Sequence, residues 1–292
     1  MDIRNFGTSG LKVSALGYGA GNIGEDNLSE KQIESILKTA VDAGITLFDT
    51  ARSYGQSEER LGKYLKSVRE DIVLSTKVGY GVDGVPDWTY DSVMKGIDQA
   101  LRKFDTEYID IIHLHSCPKE TLQQGEVIQA LYDSRMNGKV RSISYSGEQE
   151  ALSFAVECGK FDGFQSSINI CDQRTISYPL PVAKIKGMGV IAKRPAANAP
   201  WRFDERPVGH YGEEYWHRWK TMNLQTDLDP MELALRFVTF TWGVDSVIVG
   251  TTNKKHLIQN AKIIQKGQLP EDVQSYVQKT FRDNDQDWVG QI

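Results

Sequence analysis

Eight short runs rich in Val, Ile and Phe recur along this chain with amphipathic stretches between them, and that alternation limits the fold more than any other feature. The runs cover residues 14–18, 45–48, 72–75, 109–112, 140–143, 163–166, 189–192 and 246–249. Each is the length of a strand buried on both faces, and near-continuous apolarity is what a parallel strand shows. Helical patterns fill the gaps. Ser29 can cap residues 30–43 with Gln32 completing a capping box, after which Ile33, Ile36, Leu37 and Ala40 share one face. Ser57 opens 58–65, Asp91 opens 92–104, and 122–136 runs to the Asn137-Gly138 stop. Residues 148–158 end at Gly159, and Pro230 starts 231–241. Strands alternating with helices of this length need crossover connections and a parallel sheet. Eight such units predict closure into a (β/α)8 barrel.

Two segments stand outside the alternation. Residues 2–13, with Gly7-Thr8-Ser9-Gly10 between alternating runs, predict a small hairpin capping one end. Residues 195–229 are rich in Pro, Trp, His and charge, and a structureless stretch this long predicts a lid or binding loop. With 292 residues, 40% of them apolar, the chain has the size of one barrel with embellishments, so one domain over 1–292 is expected. A net charge of -5 spread along the chain excludes a basic nucleic-acid footprint. Neither a signal sequence nor a membrane span is visible, and Cys117, Cys158 and Cys171 form no CxxC pair. A cytoplasmic protein with reduced thiols is expected, with Cys117 in a packing role, as a monomer or small homo-oligomer.

In such barrels chemistry gathers at the C-terminal ends of the strands. The second run ends in Asp49, with Tyr54 five residues on; the third ends in Lys77; the fourth ends in His115. Asp110 and Asp245 lie at strand starts, where a stabilising role is expected. A free tyrosine has a pKa of about 10, too high for efficient proton transfer near neutrality, and a neighbouring ammonium favours the phenolate. An aspartate keeps that ammonium charged and aimed, and an imidazole can orient a substrate oxygen. His113 and His115 share a strand face. A metal site would want further ligands, and the fifth and sixth strands carry no His, so no metal is expected. His115 is the catalytic candidate and His113 a layer residue beneath it.

These motifs resemble the aldo-keto reductases over almost the whole chain, from Leu16-Gly17-Tyr18-Gly19 to Asn260. The segment Phe48-Asp49-Thr50-Ala51-Arg52-Ser53-Tyr54-Gly55-Gln56-Ser57-Glu58 is similar to the family's most specific signature. Ser75-Thr76-Lys77 resembles the strand bearing the catalytic Lys, and residues 108–115 the segment ending in the catalytic His. The resemblance implies a tetrad of Asp49, Tyr54, Lys77 and His115, and NADP(H) bound extended across the barrel mouth, with NAD(H) as the alternative. No GxGxxG fingerprint is needed, and Gly17-Tyr18-Gly19 is read as the turn of the first strand.

It further implies that Gly21, Asn22 and Asp49 border the nucleotide and that Ser146 and Gln165 hold the nicotinamide carboxamide. Gly147 stands where the family often has Asn, and Lys193 where many members set an aromatic residue under the ring. Either the stem of Lys193 covers the ring, or Lys193 or Arg194 reaches the pyrophosphate, cradled by backbone amides after Pro195 and by Asn198. Gly250, Thr252, Asn253, His256 and Asn260 match the adenosine end, with Lys254 and Lys255 nearby. Trp88, Tyr54 and His115 would meet the substrate. Gly21, where several members have an aromatic residue, predicts a more open wall suited to a sugar or hydroxy-aldehyde. The implied activity is reduction of an aldehyde or ketone, or oxidation of the matching alcohol. The alternative is a nucleotide-sensing regulatory subunit of the same fold with little turnover; a metal-dependent barrel hydrolase ranks third.

Overall fold

The computed structural model describes residues 1–291. A two-stranded antiparallel hairpin, β1 (Ile3–Asn5) and β2 (Lys12–Ser14), precedes eight strands: β3 (Leu16–Gly19), β4 (Leu47–Asp49), β5 (Val73–Val78), β6 (Ile109–His115), β7 (Val140–Ser146), β8 (Gly163–Ser167), β9 (Gly189–Lys193) and β10 (Ser246–Val249). All eight pair in parallel, and β10 pairs with both β9 and β3, so the sheet closes into a (β/α)8 barrel. Each of the eight β-rich runs becomes one of these strands. Gly17-Tyr18-Gly19 lies within β3 and is not its turn. Gly17 faces the interior, where an added Cβ would stand 3.0 Å from Leu47 and Ile248.

The base of the barrel is plugged from the hairpin. Phe6 and Val13 join Leu47, Val73, Ile111, Ile191 and Ile248 in one buried interior cluster. Gly163 and Gly189, at the starts of β8 and β9, make room for Phe6: a Cβ on either would come within 2.4 Å of its ring. Asp110 and Asp245 also act at this end. Asp110 accepts from the Leu74 amide and pairs with Arg69 and Arg141, while Asp245 accepts from the Gly7 and Val190 amides and pairs with Lys184.

The helices are α1 (Glu30–Asp42), α2 (Ser57–Leu65), α3 (Tyr90–Phe104), α4 (Lys119–Gln124), α5 (Glu126–Met136), α6 (Gln149–Glu157), α7 (Arg174–Ser177), α8 (Leu180–Ile185), α9 (Glu213–Met222), α10 (Pro230–Thr239), α11 (Lys254–Gln265) and α12 (Glu271–Asn284). The capping box at Ser29 and Gln32 is present, and Asp229 caps α10 ahead of Pro230. Other boundaries differ from the sequence reading for physical reasons. Ser57 begins α2 but does not cap it; its hydroxyl donates to the Ala20 carbonyl and accepts from Thr50, tying two loops of the rim together. Thr89, not Asp91, caps α3 through a box with Ser92. The stretch 122–136 is not one helix, because Gly125 adopts φ +83° between α4 and α5. Residues 195–229 are not structureless: they contain α9, which buries Tyr215, Arg218 and Met222. Residues 285–291 then return toward the rim, where Arg218 donates to the Val289 carbonyl.

Candidate active site

Strand register puts the candidate residues on one side of the sheet. Lys77 is level with His113, His115 with Ser146, Ser146 with Gln165, and Ser167 with Lys193. Side chains alternate along a strand, so all of these point inward, above the apolar layer at the base. Lys77, His115, Ser146, Gln165 and Lys193 form the floor of a cleft of about 980 Å³ at the C-terminal ends of the strands. Twelve of the positions expected from the sequence border it: Gly21, Asn22, Asp49, Tyr54, Lys77, Trp88, His115, Ser146, Gln165, Lys193, Arg194 and Gly250. Asn198, Thr252, Asn253, His256 and Asn260 do not. Asn253 caps α11 by accepting from the Lys255 amide, His256 stands beside it, and Asn260 is buried in the same helix. Lys254 turns away to Ser35 on α1.

The centre of the floor is a buried ion pair. Lys77 Nζ donates to Asp49 Oδ2 and to the Thr50 carbonyl, both at 2.6 Å, with the two side chains 2% and 3% exposed. Asp49 Oδ1 accepts from Ser75 Oγ at 2.8 Å and from Gln165 Nε2 at 2.9 Å. Burial works against both charges. It is outweighed for Asp49, held below the usual carboxylate range by Lys77 and its donors, and for Lys77, held above the usual amine range by Asp49. The pair is therefore ionised, as a buried pair with its remaining hydrogen-bonding sites filled must be. The ammonium has one proton left, and it sits 5.2 Å from the centroid of the Tyr54 ring. Tyr54 meets His115 edge-on across the cleft, centroids 6.2 Å apart.

His113 lies beneath, fully buried, with Nε2 3.0 Å from Ser75 Oγ. The Ser75 proton is directed to Asp49, so His113 donates from Nε2. Burial, with Lys77 adding to it, lowers His113 to about 3. Burial and the charges of Lys77 and Lys193 likewise lower His115 to about 3. Both imidazoles are neutral at pH 7.

Two neighbours of the site, Tyr80 and Glu148, escaped the sequence reading. Tyr80 stacks on His115 and places its hydroxyl 2.9 Å from Nδ1; its position three residues past Lys77 was the available signal. Glu148, read as a helix residue, instead turns inward with its side chain 2% exposed. It pairs with Lys193 at 3.1 Å and accepts from Ser166 Oγ and the Ser167 amide. Nothing in sequence separates such a carboxylate from an ordinary first-turn Glu. Tyr211 stacks on and hydrogen-bonds Arg194, which also donates to Ser167 Oγ and the Gln291 carbonyl.

The donor set fits a nicotinamide nucleotide in part. Ser146 Oγ donates to Gln165 Oε1 at 3.1 Å, and Gln165 donates onward to Asp49. One acceptor on Ser146 and one N–H on Gln165 remain side by side, the complement of a primary carboxamide. A side chain at Gly147 would collide with Tyr145, its Cβ 2.5 Å from the phenol oxygen, so Tyr145 occupies the room an Asn would need there. The cradle expected after Pro195 is smaller than the sequence implies, because the Ala197 and Ala199 amides already donate to the Arg194 and Ala196 carbonyls. No group of three or more His, Cys, Asp or Glu able to hold a metal occurs among the described residues. No helix there is long and apolar enough to cross a membrane.

The structure is a parallel eight-stranded barrel with an Asp–Lys pair, a tyrosine and a histidine at its mouth. The chain belongs to the aldo/keto reductase family, whose sequence profile it matches over residues 15–281. It is 32% identical over 211 residues to L-galactose dehydrogenase of Arabidopsis thaliana, covering 68% of this chain and 66% of that one. It is 26% identical over 300 residues to a protein of Oryza sativa subsp. japonica named "Probable voltage-gated potassium channel subunit beta", covering 90% and 91%. Among solved structures, an aldo-keto reductase of Bacillus halodurans in its holo form superposes with a TM-score of 0.83 at 26% identity, covering 96% of both chains.

Proposed function

We propose that the protein is an NADP(H)-dependent oxidoreductase that reduces an aldehyde or ketone, or oxidises the matching alcohol, with Tyr54 as general acid/base. The observation that carries this reading is the buried, ionised Asp49–Lys77 pair set under Tyr54 and opposite His115. When bound, a reduced nicotinamide supplies the hydride. Ser146 and Gln165 would hold its carboxamide. The stem of Lys193 would lie along the ring, because its amine is turned down to Glu148 and is not free to reach a phosphate. Arg194 is the remaining cation for the pyrophosphate, and Lys255 with His256 for a 2′-phosphate.

The chemistry of the protein side follows from its charges. Tyr54 gives its proton to the carbonyl oxygen as negative charge develops there, and the Lys77 ammonium stabilises the tyrosinate left behind. Asp49 keeps Lys77 charged and pointed at the phenol. His115, neutral, offers a hydrogen bond to the same oxygen without competing as an acid. Glu25, Asp26, Ser53 and Ser116 give the cleft wall hydroxyls and carboxylates beyond Gly21, which suits a sugar or hydroxy-aldehyde; a relative named for L-galactose oxidation supports the same class.

Tyr54→Phe is expected to keep NADPH affinity, read by fluorescence titration, while carbonyl reduction falls roughly 100- to 10,000-fold. Unchanged turnover would sink the assignment. The relative named as a channel subunit favours a second reading, a nucleotide-binding regulatory subunit. Tight NADPH binding with no turnover across a panel of sugars, aldehydes and ketones would favour it. Parallel NADP(H) and NAD(H) titrations fix the nucleotide.

A further inference from the structure

Beside the tetrad stands a further pair of aromatic rings, Tyr80 and Trp88. Tyr80, at the start of the loop leaving β5, stacks on His115 with centroids 5.4 Å apart and planes at 29°. Trp88 backs Tyr80 at 5.5 Å, and Gly79 is bare so that the indole can lie across it: a Cβ there would be 2.2 Å from the Trp88 ring. The Tyr80 hydroxyl has one proton and two acceptors in reach, His115 Nδ1 at 2.9 Å and, in a longer and weaker contact, Ser53 Oγ at 3.4 Å. A neutral imidazole carries one N–H, and the hydrogen bond made by one ring nitrogen decides the state of the other. A phenol is a much stronger acid than an imidazole N–H, and an imidazole nitrogen a stronger acceptor than a phenol oxygen. The proton in the 2.9 Å contact therefore belongs to Tyr80, and the single His115 proton is left on Nε2.

We propose that Tyr80, held in place by Trp88, is a positioning residue that fixes His115 as its Nε2–H tautomer, so that the imidazole presents a donor, not a lone pair, to the substrate oxygen. This rests on the reading of His115 as the group that meets that oxygen. It gives Trp88 a task besides lining the cleft: it clamps the ring that sets the tautomer. The neutrality of His115 supports the inference, since an imidazolium would donate from both nitrogens whatever Tyr80 did. In the opposite tautomer, Nε2 could only accept, which would suit an alcohol proton but not a carbonyl oxygen.

The test uses Tyr80→Phe, which keeps the stacked ring and removes the hydroxyl. The full-length protein, labelled with 15N-histidine, has five histidines, and His115→Gln assigns the resonance of interest. Protonated and bare ring nitrogens are well separated in 15N shift. Wild type is expected to show His115 with a protonated Nε2 and a bare, hydrogen-bonded Nδ1, and Tyr80→Phe to show averaged shifts of mixed tautomers. In steady state, Tyr80→Phe is expected to lower kcat for reduction on the order of ten-fold, with NADPH affinity unchanged and no further loss when combined with His115→Gln. The same 15N shifts in wild type and Tyr80→Phe overturn the proposal, whatever the kinetics. So does a loss as deep as that of Tyr54→Phe, or one that persists in full in the His115→Gln background; either makes Tyr80 act independently of His115. A tautomer change with His115→Gln fully active instead overturns the role given to His115 and leaves the Tyr80 contact standing.

Discussion

His113 shows what one buried side chain contributes to this site. It is neutral, its Nε2 proton held by Ser75, and it is fully buried, so a charge there would lose its solvation. The unfolded chain takes up a proton near the ordinary histidine value of 6.5, whereas burial, reinforced by Lys77, holds the folded value at about 3. Below pH 6.5 the unfolded state therefore binds more protons, and stability present above that value is lost as the pH falls toward 3. The contribution is about 1.4 kcal/mol per pH unit. His113→Gln keeps a donor for Ser75 but cannot titrate. The stability difference between wild type and His113→Gln, measured by urea denaturation, should therefore shift against wild type by that slope between pH 6.5 and 4.5. A pH-independent difference would mean that His113 is charged in the fold. Residue identity was enough to nominate Asp49, Tyr54, Lys77 and His115, which the fold brings to one cleft, because strand ends collect the chemistry of a barrel. It was not enough for Glu148 or Tyr80, whose importance lies in the partner each meets across a loop.

At the scale of elements, close approach decides where helices and strands can run. Gly62 on α2 lies against the end of α3, and a Cβ there would stand 2.6 Å from the Phe104 backbone. Backbone cannot rotate away as a side chain can. Gly62→Ala is expected to destabilise the protein by about 1–3 kcal/mol, seen as a lower urea midpoint with an unchanged slope, although Ala is the better helix former. A neutral or stabilising outcome would show that α2 can slide. Element types were legible along most of the chain, since periodicity and caps are local. The break at Gly125 and the helix within 195–229 were less so. Gly125 is one turn residue inside an apolar pattern, and α9 is polar except where it buries Tyr215, Arg218 and Met222.

For the molecule as a whole, the barrel is completed by residues far apart in the chain. Phe6 fills the base against Gly163 and Gly189, while the last residues return to the rim, where the Gln291 carbonyl receives Arg194. Phe6→Ala would open an interior void under strands that begin at residues 163 and 189, where the facing glycines carry no side chain to fill it. A loss of about 3–5 kcal/mol is expected, as a lowered thermal midpoint; a loss below about 1 kcal/mol would show the hairpin to be an ornament. By itself the sequence determined the barrel, its eight strands and the four residues proposed for catalysis, because strand period and strand order are properties of the chain alone. Only the tertiary structure decided that Lys193 is turned down to Glu148, that Tyr145 fills the place of an Asn at Gly147, and that Tyr80 touches His115. Those are contacts between neighbouring loops and strands, set by how the rim closes, and no local pattern encodes them.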